Sequence, residues 1–164
     1  MATPHSDFFA RTSLPRQRWT SCVSQQKATE LALGEVIDGV RANLGGATPD
    51  LAIVFVSVDH RARFGAVAES IRRELEPRAL VGCSARSVIG AGKELEEEAA
   101  ITLIAAVLPD VAVRGFHLED PGPPDDADGV AELRRRLEVA GCPTQAILML
   151  GEPFSFDANA WLPA

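Results

Sequence analysis

The stretch Leu80–Gly90 reads Leu-Val-Gly-Cys-Ser-Ala-Arg-Ser-Val-Ile-Gly, and the rest of the predicted fold is arranged around it. Two apolar residues lead directly into Gly-Cys-Ser, which predicts a buried strand that ends in a tight turn. An earlier apolar run, Leu51–Val56, ends in a similar way at Ser57 and is followed by Asp59 and His60. Because ligands bind at the carboxyl ends of neighbouring parallel strands, the two strand ends together predict a crevice and a site.

An amphipathic helix separates these two strands. The apolar residues Phe64, Val67, Ile71 and Leu75 recur at helical spacing, with charged residues between them. A strand, a helix and a second strand in this order normally form a right-handed crossover with parallel strands. The pattern therefore predicts that both turns lie at the same edge of the sheet.

Further elements complete an α/β fold, with a mixed, largely parallel sheet and helices packed on it. Residues 1–17 are predicted to be a flexible tail or a weakly transit-like segment, and residues 18–164 one domain. Additional strands are predicted at Arg18–Val23, Ile101–Leu108, Val111–Phe116 (returning antiparallel) and Ala146–Leu150. One additional helix is predicted from an N-cap at Ser24 to the Gly45-Gly46 pair, and another from Val130 to a stop at Gly141.

Composition and charge exclude several classes of function. The net charge of −7 and the pI of about 5.0 argue against nucleic-acid binding, which requires a concentrated basic surface. No apolar run is long enough to cross a bilayer, so no membrane partner is expected. The three cysteines have no CxxC spacing, which favours a reducing compartment. We therefore expect a cytoplasmic protein, with a plastid or mitochondrion as the alternative.

The candidate site residues each have a plainer alternative. Cys83 could be a nucleophile with His60 or His117 as its base, but an inert thiol lining a pocket is the favoured interpretation. Asp59 and His60 could form an orienting carboxylate–imidazole pair, but the favoured interpretation is that one of them simply begins the following helix as its cap. We predict no catalytic residue, metal or cofactor. The predicted ligand-binding residues are Ser57, Asp59, His60, Gly82, Cys83, Ser84 and Arg86.

Five short segments, in this order, resemble the N-terminal half of the FIST (F-box and intracellular signal transduction) family. They are Trp19–Ser21, Pro49–Phe55, Val81–Ser84, Val88–Gly90 with Glu94, and Pro153–Asp157. The resemblance implies a non-enzymatic sensory module that binds small metabolites such as amino acids. It also implies a C-terminal FIST half as a partner, and a second copy of the chain is a further possible partner.

Two features set this chain apart from the family pattern. After Gly-Cys-Ser the family favours small residues, whereas Arg86 and Ser87 follow here. No F-box pattern is visible in the sequence. The alternatives to a sensor are a protein-interaction scaffold, an adaptor fragment associated with an F-box ubiquitin ligase, and a cysteine-dependent enzyme that uses Cys83.

Overall fold

A computed structural model describes residues 16–117, 127–138, 141, 144–152 and 156. Among these residues, six strands, three α-helices and one 3₁₀ helix follow one another along the chain. The elements are β1 (Arg18–Ser24), α1 (Thr29–Asn43), β2 (Leu51–Ser57), the 3₁₀ helix (Val58–Arg63), α2 (Phe64–Leu75), β3 (Ala79–Ala85), β4 (Ser87–Gly90), β5 (Lys93–Glu96), β6 (Ile101–Val107) and α3 (Ala127–Leu137).

Four of the strands form one mixed sheet in the order β1-β6-β2-β3. Strands β2 and β3 are parallel, and β6 is antiparallel to both β1 and β2. Strand β2 is an inner strand and β1 lies at an edge. The α/β class with a mixed sheet is confirmed, and β2 and β3 are the parallel pair that the crossover through α2 predicts.

Helices α1 and α2 cover one face of this sheet. Their buried apolar residues pack with those of β2 and β6 in the main core. Helix α1 ends where predicted, since Gly45 and Gly46 adopt positive φ angles of 62° and 74°. Its predicted start was wrong: α1 begins at Thr29, and Ser24 is the last residue of β1 rather than a helix cap.

A two-stranded hairpin, β4–β5, packs on the opposite face of the sheet. Val88 and Leu95 of the hairpin form a small second core with Ala100. The acidic run that begins at Glu94 is therefore partly a strand, in which Leu95 is buried between exposed glutamates. At the end of the sheet where the site is predicted, the helices therefore cover one face and the hairpin covers the other.

Two predicted strands are absent. Val111–Phe116 and Ala146–Leu150 lie in neither helix nor strand, and their apolar side chains are largely exposed. Both predictions were wrong because an apolar run forms a strand only where a neighbouring strand supplies backbone hydrogen bonds. Helix α3 is present as predicted. Residues 1–15, Cys142, Pro153–Ser155 and Asp157 lie outside the described residues. No described helix is long and apolar enough to span a membrane.

Candidate functional site

The carboxyl ends of β2 and β3 lie side by side. In their parallel register Val56 pairs with Ser84, and Ser57 pairs with Ala85. The residues that follow β2 and those that end β3 therefore meet at one edge of the sheet, as the sequence predicted. This edge is the candidate site.

The register also separates Cys83 from Ser84. Residues that pair across parallel strands share a face, so Ser84 lies with Val56 on the helix-covered side. Cys83 pairs with Phe55 and lies on the side of the hairpin. Both residues are exposed at the sheet edge, yet their side chains point to opposite faces. A ligand bound on one face can therefore contact the side chain of only one of them.

Ser57 is a structural residue that positions Asp59. Its side chain is 1% exposed, and its Oγ accepts a hydrogen bond from the Ala100 N–H at 3.0 Å. The same hydroxyl lies 3.2 Å from Asp59 Oδ2, to which it donates. Asp59 itself is exposed, so Ser57 holds a carboxylate at the surface of the candidate site.

His60 is turned inward, away from solvent. It is 1% exposed, and its Nδ1 lies 3.0 Å from the Thr29 hydroxyl at the first residue of α1. Its Nε2 has no partner among the described residues. His60 therefore joins the 3₁₀ helix to the start of α1, and it does not form an orienting pair with the exposed Asp59.

Gly82 allows β3 to approach β2 closely. A Cβ atom built at this position would lie 2.1 Å from the Val54 carbonyl oxygen. No side chain fits there without moving the backbone of β2 or β3. The glycine is therefore required by strand packing, whatever binds nearby.

Arg86 and Cys83 are the remaining residues of the predicted set. Arg86 Nη2 lies 2.6 Å from Glu97 Oε1 in an ion pair whose side chains are both largely exposed. Partial burial raises the pKa of the Cys83 thiol, which disfavours the reactive thiolate. Among the described residues there is no cluster of three or more potential metal ligands.

Sequence reasoning missed two partners of the site. Thr29 holds His60 from 31 positions away, and Ala100 holds Ser57 from 43 positions away. Neither contact has a local sequence signal, because each joins elements that meet only in the folded sheet.

The fold is a mixed α/β domain in which the carboxyl ends of β2 and β3 lie side by side. Residues 50–164 match the family described as the FIST N domain. The chain therefore belongs to the FIST N domain family, as the resemblance of its short segments indicated.

The chain is also similar to longer mycobacterial proteins. It is 31% identical over 137 residues to an uncharacterized protein of Mycobacterium tuberculosis, covering 84% of this chain and 34% of that protein. It is 32% identical over 125 residues to an uncharacterized protein of Mycobacterium bovis, covering 76% of this chain and 31% of the other. The chain thus spans about a third of the length of these relatives. No solved structure matches it.

Proposed function

We propose that this chain is a non-enzymatic sensory module of intracellular signal transduction that binds a small, amino-acid-like metabolite at the carboxyl ends of β2 and β3. The observation that carries the proposal is the register of β2 and β3, which brings Ser57, with Asp59 bound to it, to the same edge of the sheet as Ser84. Membership of the FIST N domain family, a family of sensory domains in signal transduction, supports it.

Charged groups of opposite sign follow the two strands. Asp59 follows β2, and only one of its carboxylate oxygens accepts the Ser57 hydroxyl, so the other is available to a ligand ammonium group. Arg86 follows β3 and is bound to Glu97 in an exposed ion pair. Exposed ion pairs contribute little stability, so a ligand carboxylate can replace Glu97 at small cost. A free amino acid carries both complementary charges.

The surroundings of Cys83 support a non-enzymatic function. Its thiol has a raised pKa, so the thiolate that a nucleophile requires is disfavoured. His60, one predicted base, is buried and bound to Thr29. The two residues therefore lack the arrangement of a nucleophile activated by an adjacent base.

A thermal-shift screen of the full chain against free amino acids and small organic acids tests the proposal. At a concentration of 100 times the dissociation constant, a ligand stabilises the folded state by about 2.7 kcal/mol, which raises the melting temperature by roughly 5 to 10 °C. We expect a shift with at least one amino acid and none with the matched compound that lacks the amine.

Asp59→Asn provides the specific control. Loss of a charge-assisted hydrogen bond of about 1.5 to 3 kcal/mol weakens binding roughly 10- to 150-fold. Asp38→Asn removes an exposed carboxylate of α1 that pairs with Arg41, and leaves binding unchanged. A well-folded protein that responds to no compound would refute the sensor and favour an interaction scaffold.

The proposal extends to partners and compartment. Because the chain spans about a third of its relatives' length, we propose that a C-terminal FIST half completes the signalling protein. The cysteine spacing supports action in the reducing cytoplasm. Co-purification of this chain with a separately expressed C-terminal half would test the first point, and failure of the two to associate would contradict it.

A further inference from the structure

The 3₁₀ helix Val58–Arg63 docks one of its faces on the first turn of α1. His60 Nδ1 lies 3.0 Å from the Thr29 hydroxyl, and Arg63 Nη2 lies 3.3 Å from Glu30 Oε1. Residues three apart in a 3₁₀ helix lie directly above one another, so His60 and Arg63 share a face. Two successive residues of α1 therefore hold two successive turns of the 3₁₀ helix.

Each of these two segments depends on contacts outside itself. Helix α1 begins after Ala28, whose side chain makes no capping hydrogen bond. The 3₁₀ helix has six residues, whereas runs of more than three or four are uncommon because their hydrogen-bond geometry is poor. Thr29 and His60 join the two segments where both residues are buried, at 8% and 1% exposure. The Glu30–Arg63 ion pair is largely exposed and adds little, so the Thr29–His60 contact is the main link.

Asp59 lies between the two buried residues that hold this part of the chain. Its carboxylate accepts the Ser57 hydroxyl at 3.2 Å, and the next residue along the chain is His60. Asp59 itself is exposed. A movement of the His60 backbone carries Asp59 with it, because adjacent Cα atoms stay about 3.8 Å apart. The position of the Asp59 carboxylate at the surface therefore depends on where His60 is held.

We propose that Thr29 is a positioning residue for the candidate site: its hydroxyl holds His60, and through His60 it fixes the place of Asp59. This role rests on the proposed function, in which Asp59 binds the ligand amine. Without the Thr29 hydroxyl, the His60 ring has no hydrogen-bond partner at either nitrogen among the described residues. A buried polar group without a partner is costly, so the ring turns towards solvent and the 3₁₀ helix shifts with it.

Three variants of the full chain separate this role from a general loss of stability. Thr29→Val keeps the shape of the side chain but removes the hydroxyl, and Thr29→Ser keeps the hydroxyl. Thr20→Val is the matched control, because it removes a hydroxyl that accepts a hydrogen bond from Asn43, the last residue of α1. Far-UV circular dichroism shows whether each variant is folded.

Reaction of the histidines with diethylpyrocarbonate, located by peptide mass spectrometry, measures whether His60 stays buried. His117 is exposed and serves as the internal standard. We expect His60 to react much more slowly than His117 in the wild type, Thr29→Ser and Thr20→Val, and several-fold faster in Thr29→Val. Amide hydrogen exchange of residues 58–63 should accelerate in Thr29→Val alone. An unchanged His60 rate in Thr29→Val, or an equal rise in Thr20→Val, would overturn the proposal.

Ligand affinity shows whether the displacement reaches Asp59. With the free amino acids of the thermal-shift screen, Thr29→Val should bind roughly 2- to 12-fold more weakly than the wild type, which corresponds to one ordinary hydrogen bond. Thr29→Ser should bind as the wild type does. Unchanged affinity in Thr29→Val would overturn the positioning role and leave the proposed function intact. If the wild type binds none of these compounds, the proposed function is refuted, and the His60 rate and the amide exchange alone decide whether Thr29 holds the 3₁₀ helix.

Glu30→Arg decides the question if Thr29→Val does not fold. It sets two cations against each other on the same docking face, at an exposed position where the fold tolerates the change. Amide exchange of residues 58–63 should accelerate a few-fold, and Arg63→Glu added to this variant should restore the wild-type rate. An unchanged exchange rate in Glu30→Arg would overturn the proposal.

Discussion

Replacement of Gly82 by alanine tests the close approach of β3 to β2. The new Cβ atom would lie 2.1 Å from the Val54 carbonyl oxygen and 2.6 Å from Val54 Cγ1. The carbonyl belongs to the backbone of the neighbouring strand, so a side-chain rotation cannot relieve the contact. The two strands must separate locally, at the centre of the parallel pair that supports the candidate site.

The expected loss is large for a single methyl group. Overpacking typically costs about 1 to 3 kcal/mol, and a contact with backbone lies at the upper end, so we expect about 3 kcal/mol or more. For a chain of this size that lowers the melting temperature by roughly 6 to 12 °C. Urea denaturation followed by circular dichroism measures the free energy of unfolding directly.

Gly34→Ala is the matched control for this experiment. Gly34 lies inside α1, and a Cβ atom there would meet nothing within 4 Å. Alanine in a helix interior is favoured over glycine by about 0.5 to 1 kcal/mol, so this variant should be more stable than the wild type. If Gly82→Ala lost less than about 1 kcal/mol while Gly34→Ala behaved as expected, the close packing of the two strands would be refuted.

Three further perturbations follow from individual contacts. Ser57→Ala leaves the buried Ala100 N–H without its hydroxyl acceptor and should lower the free energy of unfolding by about 1 to 3 kcal/mol in urea denaturation; an unchanged value would show that another acceptor replaces it. Partial burial raises the pKa of the Cys83 thiol, so its alkylation by iodoacetamide should be slow near neutral pH and accelerate only in more alkaline solution, whereas rapid labelling at pH 7 would contradict the inert role. Hydrogen bonds from Ser24 and then Gln26 lower the pKa of Glu35, so its stabilising contribution should be complete above the ordinary glutamate pKa and disappear as the pH falls through the lowered value; comparison with Glu35→Gln across that range should show the difference vanish in acid, and a pH-independent difference would contradict it.

The β2-α2-β3 unit could be predicted because its signals are local. Leu51–Val56 is long enough for a buried strand, and the stripe from Phe64 to Leu75 follows the helical period. The hairpin was harder to predict, since three of the four residues in Lys93–Glu96 are charged and only Leu95 is buried. From sequence alone, a strand with a single buried apolar residue resembles a solvent-exposed charged segment, because the residues it packs against are not known.

The candidate site was predictable in position but not in its internal arrangement. The parallel crossover brings the ends of β2 and β3 together, as their sequence pattern indicated. Whether His60 faces a ligand or the core depends on its hydrogen bond to Thr29, which lies 31 residues earlier in the chain, at the start of α1. The two-residue period of a strand places Cys83 and Ser84 on opposite faces, but only the structure shows which face the helices cover.

The position of β6 has a consequence for the nascent chain. Strand β6 is synthesised last of the four but lies between β1 and β2, and Arg18 of β1 pairs with Val107 at its end. At 5 to 20 residues per second, the ribosome needs roughly 4 to 17 s to extend the chain from Ser24 to Val107. During that interval β1 and β2 lack the neighbour that joins them, so the apolar residues that β6 covers stay exposed until it emerges.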